Sequence, residues 1–313
     1  MKKFVQKGLL FCVIIALLCA CVVYLSTTEH YRSAIAKWTN SSEFMGDGGM
    51  VPIFEQARRQ DGATQLVLGD SICRQLFSGL SEYNPKTSFL ATNAALMITG
   101  QYLLVEEYLQ THPDTTDVWL VMHPLALTRT FDTEWSYRYA YMTYVETETL
   151  QYLDENTLAA MESVYGGFLM QKWVVQLAED SPIVRKLCLN HIKFNSEDYI
   201  QASPFEIADQ YVKKMYELCE ENGVKLHVYA SPAAEYYRGQ IEELSAVYGE
   251  TWMSSQYPDY FDDMMYYPDE WSEDLSHFSG EYATRDKLNE IIENAYGQTT
   301  LLEKLSYTGT NVR

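Results

Sequence analysis

Apolar residues fall into two patterns along this chain. Short unbroken apolar runs at residues 65–68, 88–92, 117–122 and 225–230 read as buried strands, and the first, Gln65-Leu66-Val67-Leu68, stops at Gly69-Asp70-Ser71. Helical spacing of apolar positions follows at residues 72–77, 102–110, 204–221 and 281–295, with Gly223 as the stop of the third helix and Ser279-Gly280 ahead of the last. Strand and helix in alternation predict an α/β fold, a three-layer αβα sandwich around a mostly parallel sheet. Residues 131–203 break the alternation; they are rich in Tyr, Trp, Met and Leu, show helical spacing near 156–178, and read as a helical insertion between the third and fourth strands. Such an insertion is either a lid or docking face, or extra helices covering one side of the sheet.

A third pattern lies at the N-terminus, where Lys2, Lys3 and Lys7 precede an uninterrupted apolar stretch over residues 9–25. That length spans a bilayer, and the leading lysines favour a cytoplasmic start. No small-x-small cleavage site follows the apolar run, which disfavours a removable signal peptide. Leu18-Cys19-Ala20-Cys21 looks like a lipoprotein box, yet apolar Val22-Val23-Tyr24-Leu25 follows where such proteins turn polar, so an uncleaved anchor is preferred to a lipid-modified Cys21. The expected organisation is a cytoplasmic N-terminus at 1–7, a transmembrane anchor at 8–26, a membrane-proximal stalk at 27–63, the main domain at 64–300 and a tail at 301–313. A helix is expected at 31–38 within the stalk. The bulk of the chain is then extracytoplasmic, on a single-pass protein of the cell membrane.

Composition narrows the function classes. Lys+Arg 23 against Asp+Glu 43 gives a formal net charge of −20, and no segment supplies the basic footprint that nucleic acid needs. Cys12, Cys19 and Cys21 lie in the anchor, leaving Cys73, Cys188 and Cys219, an odd set without Cys-x-x-Cys spacing. Neither a disulfide framework nor a zinc site is indicated. His112, His191 and His227 are scattered, no glycine-rich phosphate loop is present, and Asp262-Asp263 reads as a solvated acidic face, so no cofactor and no metal is expected. The 25 tyrosines, clustered at 137–144 and 257–267, suit a tyrosine-rich core or a binding cleft.

The candidate chemistry begins at Ser71. A serine at the handover from buried strand to helix lies at a helix N-terminus, where free N–H groups stabilise negative charge. Its hydroxyl needs a base and the base an orienter, and Asp274-Leu275-Ser276-His277 offers both in one turn. Asp70 reads as a helix cap or a supporting hydrogen-bond acceptor rather than a reacting group. Gly-Asp-Ser after the first strand and Asp-x-x-His before the last helix resemble the SGNH/GDSL hydrolase family. That resemblance implies Ser71 as nucleophile, His277 as general base and Asp274 as its partner, on a flavodoxin-like sheet. For the oxyanion hole it implies the Ser71 N–H with Asn93 or Gly100. The family's Gly-x-Asn-Asp block is absent, and Val121-Met122-His123-Pro124 stands in its place, with His123 as a candidate donor. With the anchor, the chain is similar to membrane-tethered SGNH proteins of teichoic-acid D-alanylation and alginate O-acetylation. By that likeness it would be an esterase or O-acyltransferase on envelope glycans, working beside a multi-spanning membrane O-acyltransferase. The competing expectation is a catalytically silent scaffold that binds an envelope polymer or that membrane partner.

Overall fold

The computed structural model describes residues 2–28, 31, 51–78, 84–92, 97–132, 136–181, 183–184, 205–262, 264–297 and 299–305. In chain order its elements are α1 (Lys2–Ser26), α2 (Val51–Ala57), β1 (Gln65–Gly69), α3 (Ser71–Phe77), β2 (Thr87–Phe89), α4 (Ile98–Thr111), β3 (Asp117–Met122), α5 (Glu155–Tyr165), α6 (Lys172–Asp180), α7 (Glu206–Glu221), β4 (Lys225–Ala230), β5 (Ala233–Ala234), α8 (Arg238–Tyr248), β6 (Tyr266–Tyr267) and α9 (Arg285–Tyr296), joined by short helices and helical turns. They divide into two compact units. One comprises Met1–Gly48, Phe131–Glu148 and Asp154–Tyr199; the other comprises Gly49–Thr130, Thr149–Leu153 and Ile200–Arg313.

The second unit is α/β. Its four-stranded sheet has the order β2-β1-β3-β4 with every neighbouring pair parallel, and a two-stranded parallel ribbon joins β5 to β6. All six residues of β3 are buried, as a strand covered on both faces requires. Val67, Trp119 and Val121 pack with Ile72, Cys73 and Leu76 of α3 and with Leu288, Ile291 and Ile292 of α9. α4 runs against α2 and α7, and α7 against β4, so helices flank the sheet. Because β1 leads to β2 on one side while β3 lies on its other side, the winding reverses between β1 and β3. The C-terminal ends of those two strands therefore open a crevice where α/β sheets of this kind seat their ligands.

β3 and β4 coincide with the runs expected of them. β2 ends at Phe89, three residues short, although Leu90 and Thr92 still donate to Val67 O and Gly69 O at 2.8 and 3.2 Å. α4 begins at Ile98, and the last helical segment opens as a separate turn over Gly280–Ala283 before α9. Residues 51–63, assigned above to the stalk, belong instead to the sheet-bearing unit. Phe54 and Ala57 are fully buried, Arg58 Nε meets Glu107 Oε2 at 2.6 Å, and Asp61 accepts from Ser88 and pairs with His112 Nε2 at 3.1 Å. The burial stripe of α2 is only one turn long, too short to register as a period in sequence. The helix expected at 31–38 lies, apart from Tyr31, outside the described residues.

In the first unit, α1 carries a stretch, Val5–Ser26, of 22 residues that is long and apolar enough to cross a membrane. The helical pattern at 156–178 is two helices, because Gly166 at φ +81° ends α5 and the chain turns before α6. The tyrosines near 137 are core residues here: the rings of Tyr137, Tyr141 and Tyr165 are 5.1–5.8 Å apart, and the Tyr137 hydroxyl donates to Leu169 O at 3.1 Å.

At the end of β1 the backbones of β1 and β3 pass so closely that a Cβ on Gly69 would lie 1.9 Å from Val121 O and 2.9 Å from Cys73 Cβ. Gly69→Ala should therefore force both strands apart and lower the unfolding free energy by about 3 kcal/mol, the upper range for overpacking, as read by denaturant unfolding.

Candidate active site

The close passage at Gly69 is what brings a carboxylate between two strand ends. Asp70 caps α3, its Oδ1 accepting the N–H groups of Ile72 and Cys73 at 2.9 and 3.1 Å, while its Oδ2 accepts the His123 N–H just beyond β3. Burial raises the Asp70 pKa, and the backbone N–H groups of Cys73, His123 and Ile72 oppose the rise. Both oxygens are thus engaged in building the crevice, in keeping with a structural Asp70. Arg285 holds the other end of α3, donating to Leu76 O at 2.7 Å and to Ser78 O and Oγ at 3.2 and 3.0 Å.

Ser71, half-buried, is the first residue of the helix fixed in this way. Its side chain and its N–H form no hydrogen bond among the described residues. The free N–H is one of the orphan donors of a helix start and points chemistry toward an anion at this position. Cys73, the nearest rival nucleophile in sequence, is fully buried, and burial followed by the Asp70 charge pushes its thiol well above the usual range.

The second half of the site is a loop clamped at its base by the antiparallel bridge between Ser272 and Phe278. Within it Asp274 Oδ1 accepts the N–H groups of Ser276 and His277 at 2.9 and 2.7 Å, and Asp274 Oδ2 meets His277 Nδ1 at 2.6 Å. Burial acts to raise the Asp274 pKa, but the ring of His277 and these two N–H groups outweigh it and hold the carboxyl well below the usual range. The turn is tight enough to put Leu275 at φ +61°, a left-handed conformation that costs a bulky residue of order 1–3 kcal/mol. The consequence is an imidazole whose Nδ1 is tied to a carboxylate while its Nε2, sealed from solvent, has no partner among the described residues. A buried nitrogen left unsatisfied is uncommon and calls for an explanation.

Gln75 joins the two halves. One helical turn beyond Ser71 and on the same face, its Oε1 accepts the Phe278 N–H at 2.9 Å and its Nε2 donates to Phe278 O at 3.0 Å. The residue after His277 is thereby fastened to the helix that carries Ser71. Ser71 and the Asp274–His277 pair stand in the same unit beside one helix; a hydrogen bond from the Ser71 hydroxyl to His277 Nε2 is not formed. Serine–histidine contacts of this type often tighten only when substrate is bound.

His123 lies at the same strand end, directly after β3. Its Nδ1 accepts the Leu125 N–H at 3.2 Å, so in the neutral ring the proton sits on Nε2, and Nε2 has no acceptor among the described residues. Burial, reinforced by Arg129, lowers its pKa to about 4 and keeps the ring neutral at physiological pH. It is a neutral N–H donor at the place where the sequence lacks an Asn block. Of the other oxyanion candidates, Asn93 lies outside the described residues. The Gly100 N–H donates to Met97 O at 3.0 Å in the first turn of α4 and is not free, which removes it from the donor set.

Aromatic rings pack behind the loop and next to His123. Tyr267, Trp271 and Tyr282 form a stacked ladder with centroid separations of 6.3 and 4.8 Å, tied to the loop through the Tyr267 hydroxyl on Ser276 O at 3.3 Å. Tyr237 stands edge-on to His123 at 5.6 Å and to the exposed Tyr236 at 5.1 Å. Sequence reading missed Gln75 and Arg285. Both are polar residues at helix positions that would otherwise face the core, which is the one signal they leave. Among the described residues no group of three His, Cys, Asp or Glu side chains could hold a metal ion.

Replacing Gln75 with Leu leaves the Phe278 N–H and C=O unpaired, so Gln75→Leu should cost about 2–3 kcal/mol and speed hydrogen exchange at the Phe278 amide by a matching factor. A second test uses pH. The folded pKa of His123 lies below the unfolded value of about 6.5, so the unfolded chain binds the extra proton and stability falls as pH drops from 6.5 toward 4. His123→Gln should flatten that segment of the stability curve by up to about 3 kcal/mol, measured by urea unfolding at each pH. No protein-family model matches this chain, and comparison with curated proteins and with solved structures gives no significant match.

Proposed function

We propose that this protein is a membrane-anchored serine esterase or O-acyltransferase of the SGNH type, built on a flavodoxin-like αβα sandwich with its site on the extracytoplasmic side. The observation that carries this reading is the His277 ring, oriented by Asp274 and left with a sealed, unpartnered Nε2 beside the helix whose first residue is a free Ser71. An imidazole held in this way accepts a proton at Nε2 and is stabilised as imidazolium by the carboxylate.

In the proposed reaction Ser71 Oγ attacks the acyl carbonyl carbon while its proton passes to His277 Nε2. The tetrahedral oxyanion takes hydrogen bonds from the Ser71 N–H at the start of α3 and from His123 Nε2–H. Collapse expels the alcohol, which takes the proton from His277, and leaves an acyl ester on Ser71. An incoming hydroxyl, from water or from a second glycan, then gives its proton to His277 and attacks the acyl carbon, and the second tetrahedral intermediate collapses with His277 returning that proton to the leaving Ser71 Oγ. The exposed Tyr236, edge-on to Tyr237, suits a carbohydrate acceptor, whose rings offer C–H faces to aromatic planes and hydroxyls to polar edges. An envelope glycan bearing small acyl esters, with the acyl group exported by a multi-spanning membrane O-acyltransferase, fits that requirement together with the apolar N-terminal helix.

Hydrolysis of a small activated ester such as p-nitrophenyl acetate tests the reading. Ser71→Ala and His277→Ala should each lower kcat by at least about 10³-fold, and Asp274→Asn by about 10²- to 10⁴-fold through loss of the ring's orientation. His123→Ala should cost about 10²-fold in kcat with little change in KM. Activity that survives Ser71→Ala would remove Ser71 as the nucleophile, and a folded wild type that hydrolyses no ester would favour the silent scaffold, to which the unmade Ser71–His277 hydrogen bond also lends itself.

A further inference from the structure

The helical insertion carries an exposed aromatic pair that the proposed reaction does not use. Phe168 and Trp173 are 63% and 55% exposed, and their rings meet edge to face at 5.5 Å. Phe168 projects from the turn that Gly166 opens, and Trp173 lies in α6 away from its buried residues Val174, Val175 and Ala178. Folding of the unit therefore does not need either ring. Lys172 stands beside Trp173 and is neutralised by Glu148 at 3.4 Å, which leaves no unpaired charge from that lysine to desolvate. Aromatic rings next to a long basic side chain make up the residues that settle at a membrane–water interface.

What lies against this patch is indicated by the end of α1. Ser26, the last residue of the apolar helix, is fully buried, and its hydroxyl is hydrogen-bonded to that of Ser181, the residue that follows α6. The 22 residues of Val5–Ser26 extend about 33 Å at 1.5 Å each, against a hydrocarbon core of about 30 Å. Ser26 thus sits at the hydrocarbon boundary, and α6 ends there. Trp173 is eight residues back along α6, at most about 12 Å from that boundary. The headgroup layer is about 5–8 Å deep, so an α6 inclined toward the bilayer plane carries the pair into it.

We infer that Phe168 and Trp173 insert into the headgroup layer of the bilayer that α1 spans, making the insertion a second, interfacial membrane contact. The inference rests on the reading of α1 as a membrane anchor and not on Ser71 or the proposed reaction. The test uses the full-length protein in vesicles of phosphatidylcholine brominated near the carbonyl end of its chains, with unbrominated vesicles as reference. Tryptophan emission of the wild type should be quenched by the brominated lipid more than that of Trp173→Phe, and the component lost in that variant should be shielded from iodide. Equal lipid quenching of wild type and Trp173→Phe would overturn the inference. If Trp173 emits too weakly to read, Phe168→Trp in the Trp173→Phe background supplies the emitter, with the same two outcomes.

Discussion

The contact on which the candidate site depends is the meeting of Gly69 with Val121 and the insertion of the Asp70 carboxylate beside it. Only a residue without a side chain lets β1 and β3 pass this closely, and only at that separation can one carboxylate cap α3 and also hold the His123 N–H. Two strand ends, a helix start and a histidine donor are thereby fixed by a single buried acid. Three backbone N–H groups offset part of the cost of burying that charge. Moving Asp70 would misplace the Ser71 N–H and His123 together.

The other side of the crevice is assembled independently and then fastened on. The Asp274–His277 loop closes through its own main chain at the expense of a left-handed Leu275, and Gln75 binds the base of that loop to α3. The clamp and the strained turn fix the position and orientation of the Asp274–His277 pair, which on the proposed reading is how a rigid scaffold would favour a transition state before substrate arrives.

Much of the sheet was legible in sequence because buried parallel strands are short, mainly apolar runs, and β3 and β4 match theirs residue for residue. The placement of Ser71 at a helix start and of Asp274 against His277 was legible because both depend on local residue types at element boundaries. Gln75 was not, since nothing local says that an amide on a helix will meet the main chain of Phe278 two hundred residues later. The boundary of the main unit was misplaced because the stripe of α2, Phe54 and Ala57, is one helical turn long and owes its burial to α4. Gly100 looked like a free donor because glycine in sequence marks freedom of backbone, whereas here it is an ordinary residue of a helix's first turn.

The central claim is that Ser71 is an activated nucleophile, and reaction of the full-length protein with a serine-directed phosphonate tests it most directly. Peptide mass analysis should place the adduct on Ser71 alone, with labelling abolished in Ser71→Ala and slowed in His277→Ala. A folded protein that takes up no phosphonate, or takes it up elsewhere while Ser71 stays free, would contradict the account.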